Sequence, residues 1–139
     1  RDGSQKHPYI IHRTSIGCYV RTLALLIEKY AGAFPMWLAP TQVKILPIAD
    51  RHFDYAYEVK RALEAQGMRV EVDDRNEKIG YKIRSAQVEK VPYMVIMGDK
   101  DVEEHMISVR HRKDGDLGSM TLDAFIAKTV EEINSKEIK

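Results

Sequence analysis

A chain of 139 residues, 44% of them hydrophobic, is long enough to bury the core of one ordinary domain. No stretch approaches the ~18 to 20 apolar residues of a membrane span, the opening RDGSQKHPYIIHR lacks the apolar centre of a signal peptide, and a single cysteine, Cys18, excludes an internal disulfide and fits a reducing cytoplasm. The formal net charge of +1 splits into five Lys/Arg against two Asp/Glu over residues 1–40 and seventeen against nineteen over 41–139, so bulk charge gives no support for nucleic-acid binding and any such contact must come from local clusters.

The first apolar stripe is Leu23, Leu26, Ile27 and Tyr30, spaced as a helix that Gly32 and Pro35 end. FPMWLAPTQ reads as a short linker, because its two prolines disfavour helix on either side, and the domain boundary is placed there, at residue 41. TQVKILPIA is a β-rich run suited to a buried strand that closes near Pro47. Phe53, Ala56, Val59 and Leu63 mark the core face of the next helix, with Gly67 where a left-handed cap stops it. MRVEVDD is a second strand. KIGYKIRSAQVEK places Ile79, Ile83, Ala86 or Gln87, and Lys90 along one side of a short helix whose polar faces stay solvated. VPYMVIMG is an apolar strand of the central kind, and MISVRHR alternates as an antiparallel strand with one wet face does. KDGDLGS reads as a Gly-rich turn into a last helix, N-capped by Thr121, with Leu122, Phe125, Ile126, Val130 and Ile133 as its stripe. The order β-α-β-α-β-β-α predicts an open mixed sheet with helices on both faces.

Parallel strands deliver their carboxyl-end loops to one sheet edge, so the polar turns around Asp73–Asn76 and Gly98–Asp101 are expected on a common rim. Asn76 has two readings, an N-cap for the following helix or a primary amide that bonds a base edge as donor and acceptor. Lys78, Lys82 and Arg84 sit near the amino end of that helix, where cations are mildly disfavoured, and this points to an anionic partner, phosphate contact being favoured for Lys78 and a solvated face for Lys82. Asp101 is either a turn former or an acceptor for base N–H groups. Arg110 closes the alternating strand, and a guanidinium can fork onto guanine O6 and N7. Arg112 and Lys113 are at most diffuse phosphate contacts. No dinucleotide fingerprint, Walker loop, nucleophile elbow or CxxC pair is present, so no machinery for independent catalysis is visible.

DDRNEKIGYKIR, VPYM and GDK, in this order, resemble the anticodon-binding domain of class II aminoacyl-tRNA synthetases, most closely that of the threonyl-tRNA synthetases. The resemblance implies an open mixed, mostly parallel five-stranded α/β sheet over residues 41–139, preceded over residues 1–40 by the strand-helix tail of a catalytic domain. It implies tRNA anticodon contacts by Asn76, Lys78, Asp101 and Arg110. Arg110 matches the family's guanine-reading arginine, and Asp101 an acidic residue that reads the anticodon, more commonly Glu. Pro47 and Ala49 replace polar residues that some members carry. HRTSIGCYVRTLALL resembles the third class II signature, in which Arg21 matches an ATP-binding arginine and Gly17 lets the backbone approach the nucleotide, while Val20 replaces an acidic residue. His12 matches the third zinc ligand of the parent enzymes, yet a zinc site needs three or four ligands and His12 is the lone candidate. The implied parent joins threonine to its tRNA with ATP, Mg²⁺ and zinc, as a cytoplasmic homodimer. The chain opens in mid-phrase at Arg1 and reads as a fragment of such a parent, inactive alone, without a cofactor of its own. The alternative is a non-catalytic synthetase-derived module for protein or RNA interaction.

Overall fold

The computed structural model describes residues 3–14, 17–136 and 138. A first helix, α1 (Tyr19–Tyr30), precedes an alternation of β1 (Val43–Pro47), α2 (Phe53–Ala65), β2 (Val70–Val72), α3 (Ile79–Val88) and β3 (Tyr93–Met97). There follow a short helix α4 (Asp99–Glu103), the antiparallel strands β4 (Met106–His111) and β5 (Gly115–Thr121), and a closing helix α5 (Leu122–Ser135). One sheet has the order β2-β1-β3-β4-β5. Its β2-β1-β3 core is parallel, and the β4-β5 hairpin extends it antiparallel from β3.

Period-two alternation divides the sheet into two faces. Val43 and Ile45 of β1, Tyr93, Val95 and Met97 of β3, and Ile107 and Val109 of β4 are fully or almost fully buried with Tyr55, Ala56, Val59 and Leu63 of α2 and Phe125 of α5. Leu46 and Met94 face the other way, against Ala86, Ile79 and Ile83 of α3, with Ile96 beside them. β1 is thus buried on both faces, as a central parallel strand should be.

Helix ends follow local chemistry. After α2, the Gly67 N–H donates to the Glu64 carbonyl and the Met68 N–H to the Leu63 carbonyl, a Schellman closure with Gly67 at φ +79° and Leu63 and Met68 both in the core. At α5 the Thr121 hydroxyl accepts from the Ala124 N–H at 3.3 Å, so Thr121 is the expected N-cap.

Four expectations are corrected. KDGDLGS is not a turn: the reversal is confined to residues 112–114, and Gly115 and Gly118, at φ +77° and +79°, admit a hairpin closure and a bulge inside β5. Leu117 and Met120 thereby still reach the core. The linker is packed rather than free. Met36 is 1% exposed within the main core, Gln42 donates from Nε2 to the Met36 carbonyl at 2.9 Å, and the Arg69 guanidinium clamps the Trp37 and Ala39 carbonyls. The amino-terminal segment shows a helix without the expected strand, since residues 3–14 hold no regular element and, among the described residues, no strand lies beside them to satisfy a ladder. Finally, α1 begins at Tyr19 rather than Leu23, buries no residue, and leaves Leu23 and Leu25 more than half exposed.

Lys82 also departs from the expected solvated helix face. It is 2% exposed, and its ammonium donates to the Pro47 carbonyl at 3.0 Å and the Asp73 carbonyl at 2.9 Å. It lies on the sheet side of α3, so its charge is spent inside the protein. Lys82→Met removes two charge-assisted bonds and strands two carbonyls, for which a loss of about 2–4 kcal/mol is expected. Guanidinium unfolding at neutral pH measures it, and an unchanged midpoint would refute the structural role.

Candidate functional site

The carboxyl ends of β1, β2 and β3 are tied into one rim. Lys82 joins the Asp73 turn after β2 to the end of β1, and the Ile48 N–H donates to the Met97 carbonyl at 3.0 Å, joining β1 to β3. Just beyond β3, Asp99 accepts two bonds at 2.6 Å from Arg51 and one at 2.8 Å from His52 Nε2. The buried His52 ring accepts the Ala49 N–H at Nδ1, which leaves the proton on Nε2 for Asp99. Arg51 first, then His52, hold the Asp99 carboxyl well below the usual range.

Asn76 and Lys78 lie on this rim, between β2 and α3, and both are exposed. Asn76 is not the N-cap: α3 starts at Ile79, with Lys78 in the capping position and no side-chain cap. The reason is Asp73, whose carboxylate takes the Arg75 N–H at 3.3 Å and the Arg75 guanidinium at 2.8 and 2.6 Å, and so holds a turn that delays the helix. The Asn76 amide is thereby left without a partner among the described residues. Lys78 carries a cation at the positive end of a helix with no protein partner to compensate it.

Asp101 belongs to α4 rather than to an open turn, because its Oδ2 accepts the Gly98 N–H at 2.9 Å at the helix start. Its Oδ1 accepts from the Ser108 hydroxyl at 2.7 Å. Arg110 follows two residues after Ser108 on the same side of β4, facing the layer of α3. Arg110 is half-buried, and its guanidinium engages no side chain or carbonyl among the described residues. Across the hairpin Ser108 pairs with Ser119 and Arg110 with Asp116, so this part of the sheet is polar.

The topology therefore brings Asn76, Lys78 and Asp101 to one edge, with Arg110 on the adjoining open face. It does not assemble the other expected clusters. Lys82 is buried, which breaks the Lys78/Lys82/Arg84 group. Arg112 turns away to the opposite edge, where it donates to the Lys90 carbonyl at 3.0 Å and burial lowers its pKa. His12, Gly17 and Arg21 are exposed in the amino-terminal segment. Gly17 has φ +80° and its N–H donates to the Thr14 hydroxyl at 3.0 Å. Among the described residues no group of three or more His, Cys, Asp or Glu is placed to hold a metal, and no helix is long and apolar enough to cross a membrane. Sequence reasoning missed Ser108 and the Arg51–His52–Asp99 latch. The period-two spacing from Arg110 marks Ser108, whereas the latch joins residues 48 positions apart and leaves no local pattern.

The anticodon binding domain profile matches residues 42–132. The chain belongs to the anticodon binding domain family. The domain's match starts within one residue of the first strand. Over 136 residues, 98% of the chain, it is 58% identical to the threonine–tRNA ligase of Acetivibrio thermocellus. It is 56% identical over 137 residues to the threonine–tRNA ligases of Clostridium botulinum (strain Eklund 17B) and Clostridioides difficile (strain 630), covering 99% of the chain in each case. The chain spans 21% of the length of each of these relatives. Among solved structures, the RNA binding domain of threonyl-tRNA synthetase from Cryptosporidium parvum Iowa II matches with a TM-score of 0.76 and 30% identity, over 81% of this chain and 28% of that one. The anticodon-binding fold expected from the sequence, with its five-stranded sheet and helices on both faces, is thus the one observed.

The rim carries an acid-sensitive tie. The Arg75 side-chain bond lowers the Asp73 pKa, so on unfolding the carboxyl returns to its ordinary value and binds protons more readily. The stabilisation is fully present above about pH 4, the range of an unperturbed carboxyl, and is lost as pH falls through the lower folded value. Arg75→Ala is expected to be less stable than the parent at pH 7 and to converge with it in strong acid. Urea midpoints across this range test the tie, and a pH-independent difference would refute it.

Proposed function

We propose that the chain recognises the anticodon loop of threonine tRNA as part of a larger threonine–tRNA ligase. The observation that carries this reading is the set of free polar side chains on one edge and the adjoining face: Asn76 and Lys78 without protein partners, and Arg110 without a counter-charge. An unpaired guanidinium on a half-open sheet face suits an RNA base. Loop bases can be splayed out and read on their edges, which a shallow rim permits and a deep pocket is not needed for. Arg110 offers the donor fork for guanine, Asn76 a donor and an acceptor, Asp101 acceptors, and Lys78 a phosphate contact.

In this reading residues 41–139 are the anticodon-binding domain and residues 1–40 the end of a catalytic domain. The exposed apolar side of α1 then packs against the remainder of the longer polypeptide. Arg21 and Gly17 would meet ATP and its Mg²⁺ there, with the arginine neutralising polyphosphate charge as the adenylate forms. His12 would complete a zinc site only with ligands from that remainder. Catalysis, assembly as a homodimer and a cytoplasmic location belong to the parent enzyme on the same reading.

Arg110→Ala is expected to weaken binding of a threonine anticodon stem-loop by about 1–3 kcal/mol, measured by titration at fixed salt. Unchanged affinity would sink the base-reading role. Lys78→Ala should instead weaken all RNA loops alike and reduce the slope of log K against log salt by roughly 1, the signature of one lost phosphate contact.

A further inference from the structure

The geometry points to Ser108 as a specificity-determining positioning residue, which fixes the Asp101 carboxylate as an acceptor for a base edge presenting N–H donors. This rests on the anticodon reading above and adds a residue that neither the sequence nor the comparisons assign to the site.

The Asp101 carboxylate is held from two directions. Oδ2 accepts the Gly98 N–H at 2.9 Å from the start of α4, and Oδ1 accepts the Ser108 hydroxyl at 2.7 Å from β4. A carboxylate has about four lone-pair sites, so two remain for a ligand after these bonds are made. With both oxygens anchored, the plane of the group is set. Remove the hydroxyl and one anchor remains, about which the carboxylate can turn.

Ser108 is half-buried between Ile96 of β3 and Ser119 of β5 in the ladder, so its backbone is held by strands on both sides. Having donated its only proton to Asp101, the hydroxyl presents lone pairs to any incoming group. The Asp101–Ser108 pair is therefore a patch of acceptors alone. Arg110, two residues further along and roughly 7 Å away by strand geometry, is a fork of donors alone. A neighbouring acceptor patch and donor fork distinguish bases by the order of N–H and carbonyl groups along their edges, and the β4 backbone sets the spacing between them. The short Asp side chain makes this anchoring matter, for it has little reach with which to correct a misplaced head group.

The test uses the full chain, with Ser108→Ala, Ser108→Thr, Asp101→Asn, the Ser108→Ala/Asp101→Asn double variant and Arg110→Ala. Each is titrated against the threonine anticodon stem-loop and loops with each anticodon base replaced in turn. Ser108→Ala is expected to weaken the parent loop about 3- to 10-fold, the worth of one hydrogen bond. It should shrink discrimination at the same base position that Asp101→Asn affects. Ser108→Thr, which keeps the hydroxyl, should retain both affinity and discrimination, and the double variant should bind no more weakly than Asp101→Asn alone. If Ser108→Ala leaves discrimination unchanged, or weakens every loop by one common factor, while Arg110→Ala loses affinity, the positioning role is overturned and the anticodon reading stands. If Arg110→Ala also binds like the parent, the anticodon reading itself has failed.

Discussion

The buried ammonium of Lys82 is the constraint on which the rim depends. An unpaired charge in this position would cost several kcal/mol, so the two carbonyls it meets, those of Pro47 and Asp73, must stay where they are. That requirement ties the end of β1, the turn after β2 and the helix α3 to one another. Ile48 then carries the tie to β3 through the Met97 carbonyl, and Asp101 carries it across Gly98 to Ser108 on β4. Four strands and the first turn of a helix are linked by polar bonds at one edge of the sheet, above a hydrophobic layer that holds them in register. A rim built this way presents side chains from distant parts of the chain at fixed separations.

The same arrangement divides the charged residues into two populations. Arg51, Arg69, Arg75, Lys44 and Lys82 are used internally, on Asp99, the carbonyls of residues 37 and 39, Asp73, Glu89 and the two carbonyls above. Lys78 and Arg110 are among those left without partners. A net charge of +1 therefore says little about the surface an anion meets, because the total does not separate cations engaged within the fold from those left open.

At the other end of the molecule, the segment before β1 is joined to the domain in an unequal way. Residues 34–42 belong to its core through Met36, Gln42 and the Arg69 clamp. α1 contributes nothing to that core and keeps its apolar residues exposed, although Lys90 donates from its ammonium to the Ala31 carbonyl at the helix end. Prolines mark where helix ends, and they were a sound guide to the break in secondary structure. They carry no information on whether the chain after the break is free or packed, which Met36 decides by finding a cavity between elements far away in sequence.

Features set by short-range chemistry were legible from the residues alone. Alternation in MISVRHR, the stripe from Phe53 to Leu63 and the cap at Gly67 each depend on neighbours within a few residues, and so do the Thr121 cap and the family wording around Asn76. The two glycines of KDGDLGS were misread because a positive φ serves a bulge as well as a turn, and only the partner strand distinguishes them. Arg110 was legible as a candidate base reader from its place in an alternating strand and its match to the family's arginine, yet its freedom from an ion-pair partner was not. Tertiary structure alone decided which cations are spent and which remain. Lys82 and Lys78 are one helical turn apart, and the first is buried while the second is exposed because a sheet lies on one side of α3. It also decided that Ser108 meets Asp101, since a hydrogen bond from strand to helix needs the hairpin geometry of folded β3, α4 and β4 to exist.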